Sequence, residues 1–160
     1  MNTVLYFSAT GTAFETNAFG KADLDQLIQS RHLQHLTSAN GQFDFWFSPT
    51  TQRCQRRANT KATELLMATS SFTAKSVPLL HGCVVVATHD HDGDLDGLSW
   101  QQLDLLEEKH GDVKARDARR LAKRVLREDS RRLTRKAEPT RKSPARTVPV
   151  REPMPLAPAA

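Results

Sequence analysis

The chain has 160 residues, a formal net charge of +5 and only two cysteines. This length suits one domain of ordinary size with an appendage. The longest apolar run, residues 83–87, is far shorter than the roughly 20 residues that cross a bilayer, and the apolar run 4–7 is too short for a signal peptide. Two cysteines without a CxxC pair exclude a disulfide framework. We therefore expect a cytoplasmic protein with no transmembrane segment.

Composition divides the chain near residue 110. All ten aromatic residues lie in the first 100 positions, and aromatic side chains dominate core burial. Residues 1–110 carry eight Lys/Arg and twelve Asp/Glu, a formal charge of −4, whereas residues 111–160 carry fifteen and six, a charge of +9. We therefore predict an acidic domain 1–110, a basic amphipathic helix 111–137 and a proline-rich disordered tail 138–160.

The first third of the domain is predicted to form a strand, a loop and a helix. Residues 3–10 are rich in β-branched and aromatic side chains and precede Gly11, which is typical of a strand. Residues 11–20 show no periodicity and predict a loop. Residues 22–33 have leucine and isoleucine at helical spacing and acids in the first turn, where they favour the positive end of a helix dipole. A short helix is expected there.

A hairpin is predicted next, with strands near 33–38 and 42–48. Asn40-Gly41 between them is the preferred central pair of a type I′ turn, because both residues tolerate positive φ. The segment 43-FDFWF alternates, so its three phenylalanines are expected on one face of the strand, with Asp44 and Trp46 on the other.

The rest of the domain predicts a helix, a strand and a second helix. Residues 60–69 predict a short helix, and the β-branched run 82–87 predicts a buried strand. Ser99 and Gln102 form a capping box before an apolar stripe, and Gly111 occupies the expected C-cap. About four strands and three short helices predict a small α+β domain with a mixed or antiparallel sheet, followed by the basic helix.

Residues 112–137 contain no glycine or proline and predict one long amphipathic helix. On a helical projection its apolar residues fall on one side: Ala118, Leu121, Ala122, Val125, Leu126 and Leu133. The candidate residues for binding a polyanion are the cations opposite and beside them: Arg116, Arg119, Arg120, Lys123, Arg124, Arg127 and Arg131. Such a row gives salt-sensitive, largely sequence-independent affinity for nucleic acid. The helix has no aromatic residue, so base stacking would have to come from the domain, for example from Trp46.

The acidic turn 88-THDHDGDLDGL suggests zinc as one alternative. It looks like the metal-binding motif of the metallo-β-lactamase superfamily, T-H-x-H-x-D-H with a following glycine and leucine, with His89 and His91 in register. The two positions that close that motif are Gly93 and Asp94, so a binuclear catalytic site is incomplete. A zinc ion bound by His89, His91 and an aspartate stays open, because imidazole and carboxylate are ordinary zinc ligands.

The same turn also resembles part of a calcium loop. Asp92, Asp94 and Asp96 fill positions 1, 3 and 5 of an EF-hand loop, and glycine fills position 6. Position 12 is Leu103 where a bidentate glutamate should stand, so the expected affinity is low. The remaining interpretation needs no ligand: residues 88–98 connect a strand to a helix, with aspartates making local turns.

The segments 59-NTKATELL and 78-PLLHGCVVVATHDHDGDLDGLS carry a resemblance to a known family. They combine an asparagine followed by Ala-Thr and apolar residues, a Gly-x-Val-Val-Val strand and a glycine-bearing acidic turn. In these features the chain is similar to a family of small uncharacterised domains from bacteriophages, plasmids and actinobacterial genomes. The resemblance covers residues 3–100 and implies a small α+β domain of bacterial, mobile-element origin.

Together these observations predict a non-enzymatic accessory or binding protein whose basic helix binds nucleic acid or an acidic protein surface. No GxSxG, GxGxxG or HExxH motif is present, so no catalytic residue is assigned. Two alternatives stay open. One is a divalent-metal-binding protein with a weak Ca²⁺ or Zn²⁺ site in residues 89–96, and no cofactor is expected otherwise. The other is a structural module that forms homo-oligomers through residues 113–133.

Overall fold

The computed structural model of the chain describes residues 2–49 and 57–137, with side chains described as far as Arg131. Its elements are β1 Asn2–Phe7, β2 Ala13–Ala18, α1 Lys21–Ile28, β3 Gln34–Thr37, β4 Asp44–Phe47, α2 Thr60–Thr69, β5 Val84–His89, β6 Leu95–Asp96, α3 Trp100–Gly111 and α4 Ala115–Ala137. By internal contacts the chain divides into two units, Met1–Asp129 and Ser130–Ala160. The packing described below is that of the first unit, and the predicted disordered tail 138–160 lies outside the described residues.

An antiparallel sheet with the strand order β2-β1-β5-β4-β3 forms the centre of the first unit, and β6 pairs with the end of β5. The α+β class predicted from the sequence is confirmed. Strand β5 is central, and its residues Val84 to Ala87 are buried. A strand covered on both faces needs apolar side chains at consecutive positions, which explains the unbroken run 83–87.

Helices cover both faces of the sheet. On one face Phe45, Val84 and Val86 pack with residues of α2, α3 and α4 in the main core, and on the other Val4, Val85 and Ala87 pack with α1. The predicted alternation of β4 is confirmed, since its phenylalanines belong to the main core and Trp46 packs on the α1 side.

Strand β2 corrects the prediction of a loop at 11–20. All six of its residues pair with β1 after a turn in which Gly11 has φ of 91° and donates its N–H to the Ser8 carbonyl at 2.9 Å. Four of the six residues of β2 are exposed, and Phe14 is 47% exposed. Because this edge strand buries little, its sequence lacks the alternation on which strand prediction depends.

Two predicted turn geometries are also wrong. The hairpin between β3 and β4 is not a type I′ turn, because only Gly41 has positive φ, whereas Asn40 does not. The Asn40 side chain instead accepts hydrogen bonds from Ser38 and Gln42. These bonds stabilise a loop that is longer than the two-residue type I′ turn. Gly111 is still helical, and Asp112 caps α3. The capping box at the start of α3 is confirmed, with both of its hydrogen bonds present.

Candidate functional site

Helix α4 is attached to the domain along one side. Leu121 has no exposed surface and belongs to the main core, and Val125, one turn later, is buried as well. Before the helix begins, Val113 packs against the same core. A spacing of four residues brings Leu121 and Val125 to the same side of a helix. The first turns of α4 therefore have a fixed place on the domain.

Two polar contacts reinforce this attachment. The Arg124 guanidinium donates a hydrogen bond to the backbone carbonyl of Val77. Nε2 of His81 lies 2.8 Å from a carboxylate oxygen of Glu128. Arg124 was predicted as a polyanion-binding residue, but in the structure its side chain is half-buried with a partner in the domain. Arg124 therefore does not belong to the exposed cationic surface of α4.

The opposite side of α4 exposes cations to solvent. The exposed members of the predicted set are Arg116, Arg119, Arg120, Lys123, Arg127 and Arg131. Four of them, which we call the basic row, follow one another at spacings of four, three and four residues: Arg116, Arg120, Lys123 and Arg127. Residues at these spacings share one helix face. At a rise of about 1.5 Å per residue the basic row is roughly 17 Å long.

The cations of the basic row have no carboxylate partner among the residues that the structure describes. Within residues 2–49 and 57–131 every ion pair contains a histidine, and none contains a lysine or arginine. The positive charge on this face of α4 is therefore not neutralised inside the described part of the chain. A set of unpaired, neighbouring cations attracts polyanions.

The domain covers only part of the predicted apolar side of α4, where Leu121 and Val125 are buried and Ala118 is half-buried. Ala122 is exposed, and Leu126 is 65% exposed. The predicted apolar side is wider than the strip that the domain covers, since only Leu121 and Val125 are buried among the side chains of α4 that the structure describes. Leu133 lies beyond the described side chains. The proposed self-association surface at 113–133 is thus reduced to a narrow exposed strip in the part of α4 whose side chains are described.

The acidic turn is a β-hairpin between β5 and β6, where the sequence predicted a connection without a further strand. Oδ1 of Asp90 accepts the backbone N–H groups of Asp92 and Asp94, at 3.0 and 2.9 Å. Gly93 has φ of 82°, which its lack of a side chain permits. Asp96 accepts the N–H of Gly97 at 2.8 Å. The predicted local aspartate turns are present at Asp90 and Asp96, whose carboxylates accept backbone N–H groups of their own loop.

The predicted metal ligands are only partly brought together. Carboxylate oxygens of Asp90, Asp92 and Asp94 lie within 4.8 Å of one another, and all three residues are exposed. Among the described residues this is the only such group, and it contains neither His89 nor His91 nor Asp96. Asp90, which the sequence comparison did not select, is its third member. The structure therefore gives no support to a histidine-containing zinc set, and the calcium alternative depends on these three aspartates.

His89 has a different partner, which the sequence did not reveal. Its Nδ1 lies 2.7 Å from Oδ2 of Asp44, whose side chain is only 4% exposed. The Thr37 hydroxyl donates to the other Asp44 oxygen at 2.8 Å. Asp44 of β4 pairs with Ala87 of β5, and His89 follows Ala87 by two residues in the same strand. The side chains of Asp44 and His89 therefore lie on the same face of the sheet. The predicted alternation placed Asp44 with Trp46 on the strand face opposite the phenylalanines, and it gave no signal that this carboxylate is buried with a partner.

Trp46 does not serve the basic helix as a stacking residue. It packs with the cluster on the α1 face of the sheet, and the ring of His35 lies over it at 4.5 Å. Leu121 of α4 belongs to the core on the other face. An aromatic residue that stacks bases near α4 would therefore have to come from α2, α3 or the loops beside them.

Comparisons with protein-family models, with curated proteins and with solved structures find no match for this chain. The resemblance of residues 3–100 to small phage, plasmid and actinobacterial domains stays a prediction. Among the described residues, no helix is both long enough and apolar enough to cross a membrane.

Proposed function

We propose that this chain is a cytoplasmic, non-enzymatic accessory or binding protein that uses α4 to bind nucleic acid or another polyanion. The observation that carries the proposal is the basic row: Arg116, Arg120, Lys123 and Arg127 are exposed, share one helix face and have no acidic partner among the described residues. Phosphates are the anions that such a row contacts without sequence preference.

The attachment of α4 favours this role over that of a flexible tail. Leu121 and Val125 hold the helix on the domain, so the cations keep their spacing before any ligand arrives. Groups that are already ordered lose less conformational entropy on binding. The basic row, roughly 17 Å long, corresponds to the axial rise of about five base pairs of a duplex.

The same attachment argues against insertion into a membrane surface. An amphipathic helix that binds a bilayer places its apolar side among the lipid chains. Here Leu121 and Val125 are buried in the protein core and are not available to lipid. A negatively charged surface that contacts only the exposed side of α4, such as a nucleic-acid backbone, fits this arrangement better.

The test replaces the basic row in the full-length protein. In the variant Arg116→Gln/Arg120→Gln/Lys123→Gln/Arg127→Gln all four side chains are solvent-exposed, so the fold is expected to survive. Binding of a fluorescent duplex and of anionic vesicles is measured by anisotropy and by co-sedimentation at about 0.1 M salt. The counterion-release slope predicts a loss of duplex affinity on the order of 10³-fold for four lost phosphate contacts.

A matched control removes four other exposed cations, Lys21, Arg31, Arg57 and Lys61, by substitution with glutamine. This control changes net charge by the same amount but leaves α4 intact, and its affinity is expected to stay within a few-fold of the original. Equal losses in the two variants, or binding of vesicles in preference to nucleic acid, would contradict the proposal. Truncation at residue 110 is a poorer test, because it removes Leu121 from the core.

A further inference from the structure

A cleft of about 550 Å³ adjoins the basic row at Arg120. It lies among the end of α2, the loop that follows it, the end of α3 and the start of α4. Its lining includes the aromatic ring of Phe72, the apolar side chains of Met67 and Val113, and cations from all of these elements except α2. Its volume falls in the range of small-molecule sites, roughly 300–1,000 Å³. The cleft is thus large enough for a group such as a nucleobase.

Cations outnumber carboxylates around this cleft. Lys75, Lys109, Lys114 and Arg120 are exposed lining residues, and only two acids, Asp112 and Asp117, stand among them. As elsewhere in the described chain, these lysines and this arginine take part in no ion pair. Arg120 also belongs to the basic row. Net positive charge therefore extends from α4 into the cleft, although Asp112 and Asp117 stand among its cations.

The cleft also contains the aromatic side chain that α4 lacks. Phe72 packs against the main core, is only half-buried and lines the cleft. Met67 and Val113 add further apolar surface beside it. An aromatic ring anchored by a core and surrounded by cations is the combination with which proteins bind single-stranded nucleic acid, since every base has a face that stacks.

We infer that the polyanion is single-stranded nucleic acid, with one unpaired base seated in the cleft against Phe72. The cations around the cleft contact the phosphates that flank this base, and the basic row contacts those that follow. A duplex keeps its bases stacked and paired, so it reaches the basic row but does not place a base against Phe72 without unpairing it. This inference rests on the proposed function of α4.

The test uses the full-length protein and three probes of equal length: a single-stranded oligothymidylate, the corresponding duplex and an abasic single strand. The original protein is expected to bind the thymidine strand more tightly than the abasic strand. In Phe72→Leu, which keeps an apolar side chain in the core, single-strand affinity should fall by about 5-fold to 100-fold, the usual effect of losing one stacked base. Its affinity for the duplex and for the abasic strand should not change.

A second variant tests the cleft without changing a side chain that packs against the core, as Phe72→Leu does. In Lys75→Gln/Lys109→Gln both residues are exposed, so the fold is expected to be intact while single-strand affinity falls about 25-fold from two lost phosphate contacts at 0.1 M salt. The control Arg127→Gln, on the basic row outside the cleft, should weaken single-strand and duplex binding alike.

The outcomes distinguish a failure of base binding at Phe72 from a failure of polyanion binding by α4. If Phe72→Leu and Lys75→Gln/Lys109→Gln leave the single-strand preference unchanged while Arg127→Gln weakens both probes, the base-binding cleft is wrong and the basic row stands. If the original protein binds none of the three probes, both are wrong.

Discussion

The acidic turn 90–96 and the basic row of α4 both concentrate charge, but they differ in what the charge contacts. In the turn, Asp90 accepts two backbone N–H groups and Asp96 accepts another. In α4 no carboxylate of the described chain pairs with the four cations. The carboxylates of Asp90 and Asp96 are thus accounted for by hydrogen bonds to the backbone of their own loop. The four exposed cations of the basic row share one helix face and have no acidic partner among the described residues, and for this reason we propose α4 as the binding surface.

The largest effect expected concerns how α4 is held. Leu121→Ala removes a fully buried side chain and should lower the free energy of unfolding by about 2–5 kcal/mol. Leu126→Ala, the same substitution five residues later on the exposed side, should change it by less than about 0.5 kcal/mol. Urea unfolding of both variants measures the difference. Equal, small effects would mean that α4 is not anchored and that the basic row is not preorganised.

The next largest effect concerns the buried carboxylate of Asp44, which contacts His89 at the end of β5. Asp44→Ala leaves His89 and Thr37 without their acceptor and should cost about 1–3 kcal/mol. Asp92→Ala, an exposed aspartate of the turn, should cost less than about 0.5 kcal/mol. Thermal unfolding at one pH compares the two. A larger loss for Asp92 would show that the turn has a role that its own hydrogen bonds do not explain.

A smaller effect is expected at the start of α3. The Ser99 hydroxyl accepts the N–H of Gln102 at 3.2 Å, and Ser99→Ala should destabilise the protein by about 1 kcal/mol. Ser99→Asp retains an acceptor and should restore most of the loss. Urea unfolding of the two variants tests the cap, and an alanine variant as stable as the original would contradict it.

The smallest effect is expected from metal. Three exposed aspartates with their local hydrogen bonds supply few oxygens for calcium, so 1 mM CaCl₂ should raise Tm by less than about 2 °C, the shift for a ligand with Kd near that concentration. Differential scanning fluorimetry with CaCl₂ and with MgCl₂ measures it. A saturable rise of several degrees, lost in Asp92→Asn, would establish the calcium alternative.

Sequence reasoning succeeded where the cause is local. Helix α2 was predicted with its observed bounds, and the capping box at Ser99 with both of its residues, because helix periodicity and capping involve residues within a few positions. Strand β5 was found from its apolar run, although pairing extends it to His89. The edge strand β2 was missed, because it buries almost nothing that could shape its sequence.

The rest depends on contacts between distant parts of the chain. Asp44 and His89 are 45 residues apart, and only the register of β4 on β5 brings them together. The basic residues of α4 were predicted from the helix pattern alone. The pattern did not predict which apolar residues of α4 the domain covers. That depends on the rotation of the helix, which its contacts with Val77 and His81 help to fix. The cleft at Phe72 likewise requires the docking of α3 and α4 beside α2.

The salt dependence of duplex binding tests the central claim most directly. The logarithm of the association constant is plotted against the logarithm of salt concentration for the original protein, for the variant without the basic row and for the control without Lys21, Arg31, Arg57 and Lys61. If the four cations of the row contact phosphates, the slope falls by roughly 3 to 4 in the first variant and stays unchanged in the control. The same slope in all three proteins would contradict the assignment of α4 as the binding surface.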